Sequence, residues 1–160
     1  KIFIFKQYIF YYKLNRYLPN FIWYGTKACK KKNLLSPQWL RNVKSKKYHF
    51  WRIDAWFSKK QYIGIDFVKN GGWHFSNIKK AEDIEFKLKS YLHHRDYEVE
   101  ALGIKKIKNI IEKRETLYDM YVDKSGKKFH DKRQKLEKFE INKLPNFIES
   151  NLENYKEWID

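Results

Sequence analysis

The stretch that decides the fold is YIGIDFVKNGGWHFSNIKKAEDIEFKLKSYL, residues 62–92. Residues 62–68 are β-branched and aromatic with partial alternation, which predicts a strand. Gly71 and Gly72 follow in a chain with only 6 glycines, so the backbone there takes a path that a side chain would resist. The order of strand and glycine pair marks this stretch as the organising part of the chain.

A helix is predicted to follow the glycine pair and a short apolar run at 73–75. Ser76 or Asn77 is placed to cap it. Over 81–92 the apolar residues recur at helical spacing; they are Ile84, Leu88, Tyr91 and Leu92. A strand followed by a helix predicts an α/β protein.

Working toward the start of the chain, we predict two helices and a further strand. The spacing of Phe5, Ile9 and Tyr12 predicts a helix over 5–15. Ser36 as N-cap and Pro37 at the first helical position predict a second helix, ending near Val43. Residues 48–57 are aromatic and predict a strand paired with 62–68, and the β-prone residues 21–30 are broken by Gly25.

Working toward the end of the chain, the apolar residues predict two more helices. One carries Ile104, Ile107, Ile110 and Ile111. The other runs over 144–159, with Ile148, Leu152, Tyr155 and Ile159 on one stripe. The polar residues between them are predicted to be looped or partly extended. With 160 residues and no Gly/Ser/Pro linker, the chain is expected to form one domain, residues 1–160.

The charge is unevenly distributed along the chain. The net charge is +16; residues 1–60 hold 15 Lys or Arg against Asp54 alone, whereas residues 61–160 hold 20 against 18 acids. A basic surface with aromatics suits phosphate backbones, nucleotide diphosphates or an anionic membrane. However, 29 of the 35 basic residues are Lys, while base-reading proteins favour Arg. We therefore rank compositional bias with general anion attraction above dedicated nucleic-acid binding.

Cysteine content and hydropathy exclude several classes of protein and site. Cys29 is the only cysteine, which rules out an internal disulfide and a cysteine-built zinc site and favours a reducing compartment. No apolar run approaches the ~20 residues of a membrane span. We expect a cytoplasmic location, with peripheral contact to an anionic membrane as an option.

The glycine pair and its neighbours have two interpretations. In the first, the glycines let backbone N–H groups approach an anion, Trp73 stacks on a sugar, and His74 ligates a metal or bonds a phosphate. In the second, Asn70 and the glycines form a hairpin turn, Trp73 and Phe75 are core, and His74 is an ordinary polar residue.

The acids and histidines of the following helix are equally open to two interpretations. Glu82 and Asp83 supply a general base or only offset the helix dipole. His93 and His94 bind a ligand or form a solvated helix end. No P-loop, nucleotide-binding G-x-G-x-x-G, G-x-S-x-G or H-E-x-x-H motif is present, so hydrolase and P-loop kinase functions lack support.

The motif NGGWHFS, followed by a helix with IEFKLKSYLHH, resembles the G-W-H-[FL]-S and S-[FY]-x-H segments of glycosyltransferase family 17. That family includes the bisecting β-1,4-N-acetylglucosaminyltransferase of N-glycans. Upstream, YYKLN (11–15), WYGTK (23–27) and SPQWLR (36–41) are similar to its Y-Y-x-L-N, W-x-G-T and S-P-x-x-L-R stretches. Downstream, LPNFIESNLENYK (144–156) resembles its closing segment.

The resemblance implies a GT-A type glycosyltransferase with a Rossmann-like sheet. It implies inverting transfer of an N-acetylglucosamine-like sugar from a UDP-GlcNAc-like donor to a glycan acceptor, with a divalent cation, Mn²⁺. It makes Glu82 the candidate catalytic base and His74 a candidate metal ligand. The substrate-binding candidates it implies are Gly71, Gly72, Trp73, His74, Ser76 and His93.

Two departures from the family pattern qualify that expectation. The family's D-x-D motif, which binds metal and diphosphate, does not occur in these 160 residues, and Lys79-Lys80 replaces small residues just before Glu82. Because the chain also starts at Lys1 in apolar sequence, we expect the C-terminal, acceptor-side portion of such an enzyme, without its nucleotide-binding half and inactive alone. The alternative is a basic module that binds nucleic acid or anionic surfaces.

Overall fold

The computed structural model describes residues 1–58, 64–90, 101–121 and 132–160. Its strands are β1 (Ile2–Phe5), β2 (Tyr8–Tyr11), β3 (Arg16–Tyr17), β4 (Lys27–Cys29), β5 (Ile65–Val68), β6 (Trp73–Ser76) and β7 (Glu137–Lys138). Its α-helices are α1 (Pro37–Asn42), α2 (Ile53–Trp56), α3 (Ala81–Ser90), α4 (Gly103–Glu112) and α5 (Asn146–Glu149). Short 3₁₀ helices span Lys31–Asn33, Ile141–Lys143 and Leu152–Trp158. The α/β prediction is confirmed at the level of a mixed α/β chain.

The chain divides into two compact units. The first comprises Lys1–Tyr8 and Ile22–His74, and the second comprises Ile9–Phe21 and Phe75–Asp160. Each unit therefore draws on two separate stretches of chain, and the single-domain prediction stays a prediction. Among the described residues, every helix is too short or too polar to cross a membrane.

The first unit is built on a three-stranded sheet of order β4-β1-β5. β1 pairs antiparallel with β4 and parallel with β5, so it is the central strand. Its inward side chains, Ile2 and Ile4, are buried with Ile65 and Val43. Cys29 is half-buried and packs against this cluster, as expected for a small apolar side chain.

Helix α1 begins where the sequence predicts. Ser36 is the N-cap, and its hydroxyl accepts a hydrogen bond from the Trp39 amide at 3.0 Å. Pro37 is the first helical residue, where its missing N–H costs nothing. Trp39 and Leu40 then pack on the core of the first unit.

The second unit contains most of a four-stranded sheet of order β6-β2-β3-β7. The ring of Phe10, which is fully buried, lies 5.1 Å from Phe75 and 5.1 Å from Phe139 between centroids. Helices α3 and α4 pack against each other and bury Ile84, Ile107 and Ile110. The helices predicted over 81–92 and around 104–111 are thus confirmed within the described residues.

The helix predicted over 5–15 is wrong: β1 and β2 occupy that stretch. The helical spacing of Phe5, Ile9 and Tyr12 ignored Phe10 and Tyr11, which are also fully buried. A continuous aromatic and β-branched run fits a strand better than a one-sided helix.

The strand predicted over 48–57 is also wrong, because residues 53–56 form helix α2. The strand predicted with it, over 62–68, is confirmed as β5 within the described residues, but it pairs with β1. Residues 48–57 therefore have no strand beside them. Within this segment, the Trp56 indole N–H donates to the Phe50 carbonyl at 2.7 Å. Only Tyr48 and Ala55 of this segment are buried.

The continuous helix predicted over 144–159 is broken into α5 and a 3₁₀ helix. At the break, the Asn151 side chain donates to the Phe147 carbonyl at 2.7 Å, and such a bond competes with the helical backbone ladder. Ile148 is buried as predicted. Leu152, Tyr155 and Ile159 do not continue the predicted apolar stripe, because a 3₁₀ helix has 3 residues per turn and the stripe was predicted from α-helical spacing.

Candidate functional site

The glycine pair is explained by backbone packing. The Gly71 amide donates to the Lys6 carbonyl at 2.7 Å, and a Cβ at Gly71 would lie 2.7 Å from the Phe5 Cβ. Gly72 has a φ of 119°, which side-chain-bearing residues rarely adopt, and its carbonyl accepts from the Tyr8 amide at 3.1 Å. Both glycines are required by the turn itself.

The hairpin interpretation of this turn is wrong. The strands on either side, β5 and β6, belong to different sheets and do not pair. Asn70 has a φ of 50°, and its side-chain oxygen accepts from the Tyr8 hydroxyl at 3.3 Å. The turn carries the chain out of one sheet and into the other.

His74 is stacked on Trp23. The ring centroids lie 4.6 Å apart at 18°, so one residue of the WYGTK motif contacts one residue of the GWHFS motif, and both residues lie in the first unit. Gly25 explains the W-x-G spacing, because a Cβ there would lie 2.1 Å from the Trp23 indole nitrogen. The glycine leaves room for the indole, and the indole fixes one face of His74.

The aromatic neighbours of His74 differ in exposure. Trp73 is 38% exposed, so the interpretation of Trp73 as a core residue is wrong. Phe75 is half-buried on Phe10, as the core interpretation predicts. Gly71, Gly72, Trp73 and His74 belong to the first unit, whereas Ser76 and Glu82 belong to the second.

Ser76 ends β6 and is half-buried. The capping prediction is wrong, because α3 begins only at Ala81. Asn77, buried with a φ of 51°, accepts a hydrogen bond from the Lys87 ammonium at 2.7 Å instead. His93 and His94 lie outside the described residues.

A cleft of about 450 Å³ opens at the start of α3, within the second unit. It is lined by Tyr12, Lys13, Lys79, Lys80, Ala81, Glu82, Lys108, Ile111, Glu112, Glu157 and Trp158. Four separate parts of the sequence therefore meet there: the YYKLN stretch, the residues after GWHFS, helix α4, and the residues that follow the closing segment at 144–156. Of the predicted site residues, Glu82 lines this cleft.

Two ion pairs cross the cleft and set its charge. Lys108 lies 2.7 Å from Glu82, and Lys80 lies 2.8 Å from Glu157. The hydrogen bond from Lys108 holds the pKa of the Glu82 carboxyl below its ordinary value. Lys79 forms no such pair with any described residue. The four lysines and three glutamates of the lining leave one net positive charge.

Tyr12 forms part of the cleft wall and is fully buried, with a φ of 64°. Burial raises the pKa of its phenol, so the group is neutral at physiological pH. Its hydroxyl has no hydrogen-bond partner among the described residues. The wall is thus an uncharged ring beside charged lysines and glutamates.

Sequence reasoning missed most of the cleft. Tyr12 and Lys13 lie inside the YYKLN motif, and Lys79 and Lys80 stand where the family pattern has small residues. Glu157 and Trp158 directly follow the closing motif, so proximity to these motifs was a usable signal. Nothing in the sequence indicated Lys108, which reaches the cleft because α4 packs on α3.

The metal prediction is not supported by a ready-made ligand set. Among the residues that the structure describes, no three His, Cys, Asp or Glu side chains are grouped as a metal site needs. His74, which is half-buried, could supply one ligand. The Mn²⁺ assignment stays a prediction.

Comparisons of the chain with protein-family models, with curated proteins and with solved structures gave no match.

Proposed function

We propose that the chain supplies the acceptor-side part of a glycosyltransferase that moves an N-acetylglucosamine-like sugar from a nucleotide-sugar donor to a glycan. The observation that carries this proposal is the cleft at the start of α3. One segment that resembles the family, YYKLN, lines it together with the residues that follow two others, GWHFS and the closing segment. The proposal also includes the GT-A architecture, with donor-binding residues that are not among these 160.

The cleft has the chemistry that a departing diphosphate requires. Lys79 carries no counter-ion among the described residues, and Lys80 can exchange the Glu157 carboxylate for phosphate oxygens. The positive end of the α3 dipole points to the same place. Concentrated positive charge stabilises the negative charge that develops on a leaving diphosphate.

Glu82 is the proposed general base in this cleft. Because its pKa is lowered by Lys108, the carboxylate is ionised at neutral pH and can accept a proton from an acceptor hydroxyl. Its side chain is half-exposed, so a glycan can reach it.

Trp73 is proposed to contact the sugar in the first unit. An exposed indole ring is a common platform for the apolar face of a pyranose, because the ring and the sugar C–H groups exclude water together. Ser76 and His93 remain proposed substrate contacts, and His74 remains a proposed metal or phosphate ligand.

Diphosphate binding in the cleft is tested by titrating the ¹⁵N-labelled chain with inorganic pyrophosphate and with UDP. We expect backbone amide shifts at residues 79–82, and about tenfold weaker binding in Lys79→Gln/Lys80→Gln, as two lost charge contacts would give. Lys105→Gln/Lys106→Gln on α4 is the matched control and should bind like the parent chain. Shifts that are absent, or equal losses in both variants, would overturn the diphosphate assignment.

Acceptor contact is tested by saturation-transfer NMR with a chitobiose-containing oligosaccharide. Trp73→Ala should abolish the transfer, while Trp51→Ala, at another exposed tryptophan of the same unit, should not.

Because no D-x-D is present, the chain with UDP-GlcNAc and Mn²⁺ should show no turnover. Robust Mn²⁺-dependent turnover would overturn the view that these residues supply only part of the donor site.

The charge of the first unit favours the alternative function, a basic binding module. This unit holds 14 Lys or Arg against two acids. If it binds nucleic acid, neutralising Lys30, Lys31 and Lys32 should weaken RNA binding and reduce its salt dependence, and His74→Ala should change nothing. Negligible RNA binding at low salt would eliminate this alternative.

A further inference from the structure

Helix α2 and the residues before it form an exposed aromatic surface, which we call the 50–57 surface. Its large apolar side chains are between 61% and 85% exposed; they are Phe50, Trp51, Ile53, Trp56 and Phe57. Exposed apolar patches of several hundred Å² on a folded chain mark interaction sites. The surface is anchored to its unit by the buried Tyr48 and Ala55.

Several polar groups within the 50–57 surface are already paired with one another. Arg52 donates to both carboxylate oxygens of Asp54, at 2.7 and 2.6 Å. The Trp56 indole N–H donates to the Phe50 carbonyl. The surface can therefore enter an apolar medium without leaving these donors and acceptors unpaired, which is the main cost of doing so.

The charge around the 50–57 surface favours an anionic partner. Lys44, Lys46 and Lys47 precede it and are exposed. The two acids of the first unit are both engaged, Asp54 by Arg52 and Asp66 by Lys1 at 3.1 Å. The described Lys and Arg residues of the unit therefore far outnumber its carboxylates.

We propose that the 50–57 surface docks the protein onto a lipid bilayer that carries anionic headgroups. Tryptophan and phenylalanine favour the boundary between headgroups and acyl chains, and neighbouring lysines bind the negative surface. A second copy of the chain would bring two basic faces together, which is repulsive. Single-stranded RNA would gain little from Ile53, and the only arginine of the surface is engaged by Asp54.

The test is flotation of the protein with phosphatidylcholine vesicles, with and without phosphatidylserine. Binding should require phosphatidylserine and weaken with salt. Trp51→Ala/Trp56→Ala/Phe57→Ala should lower the partition coefficient at least about tenfold. Phe86→Ala/Phe147→Ala removes two side chains that are equally exposed, at 74% and 69%, but lie in the second unit, and it should not change binding.

The contribution of the neighbouring lysines to membrane binding is tested separately. Lys44→Gln/Lys46→Gln/Lys47→Gln should reduce binding by about fivefold per lysine, while Lys105→Gln/Lys106→Gln/Lys113→Gln should have a smaller effect. Bromine-labelled lipid should quench tryptophan emission in the parent chain and less in Trp51→Phe/Trp56→Phe. Circular dichroism confirms that each variant is folded.

Several results would overturn the proposal. They are equal binding to neutral vesicles, full binding by the aromatic variant, RNA binding without vesicle binding, or a dimer that only the aromatic variant abolishes. The 50–57 surface and the α3 cleft share no residue, so either proposal can fail without the other.

Discussion

At the scale of single residues, glycines of the NGGWHFS and WYGTK motifs are explained by packing within the protein. Gly71 leaves room for Phe5, and Gly25 leaves room for the Trp23 ring that stacks on His74. Both glycines serve packing within the first unit. The side chains they position, Trp73 and His74, are the ones that remain candidates for contact with a ligand.

Gly71→Ala is expected to destabilise the chain by about 1–3 kcal/mol, because the added Cβ would overpack against Phe5. The matched control is Gly64→Ala, where the nearest atom to a new Cβ is 3.9 Å away. That substitution should be neutral or slightly stabilising, since alanine restricts the unfolded chain. Urea denaturation measures both; a Gly71→Ala chain as stable as the parent would contradict the packing explanation.

At the scale of elements, the pair of helices α3 and α4 creates the cleft. α3 contributes Glu82, and α4 contributes Lys108, 2.7 Å away. Their buried residues, Ile84, Ile107 and Ile110, fix the two helices side by side. Helical periodicity predicts both elements, but it does not predict which polar faces meet.

The Glu82–Lys108 pair predicts a measurable pKa. The folded-state pKa of Glu82 is lowered by Lys108, so the stabilisation it gives is present above the unfolded-state pKa and is lost as the pH falls through the lower, folded value. A carboxyl-detected NMR titration should show a pKa below the ordinary glutamate value. In Lys108→Gln it should rise toward that value, whereas Lys105→Gln should leave it unchanged; no rise in Lys108→Gln would contradict the assignment.

At the scale of the whole molecule, the second unit is closed by residues from distant parts of the sequence. The guanidinium of Arg16 donates to both Asp160 carboxylate oxygens, at 2.8 and 2.7 Å, and to the Ile111 carbonyl at 2.8 Å. Asn15 is fully buried and accepts from the Asp160 amide at 2.9 Å. The asparagine of the YYKLN motif thus has a structural partner in the last residue of the sequence.

Burial should decide what each ion pair contributes to stability. Arg16→Gln breaks a pair whose side chains are 7% and 14% exposed and should cost about 3–5 kcal/mol. Arg52→Gln breaks an equally short pair whose side chains are both 51% exposed and should cost far less, because water screens an exposed pair. Chemical denaturation compares the two, and similar losses would show that burial does not govern these pairs.

The sequence by itself determined the elements that local chemistry specifies. Ser36 and Pro37 start α1, Ile104 to Ile111 predict α4, and the basic character of the first third of the chain follows from composition alone. These features depend on neighbouring residues or on counts, so they need no knowledge of distant contacts.

Only the tertiary structure decided the rest. Residues 5–15 and 48–57 are aromatic runs that suit strand or helix, and the choice depended on which segment β1 accepted as a neighbour. The cleft depended on α4 packing against α3, and the α2 aromatics became a surface because β5 pairs with β1 instead of with them. Strand pairing and helix packing join residues far apart in sequence, and no local pattern encodes which partners will meet.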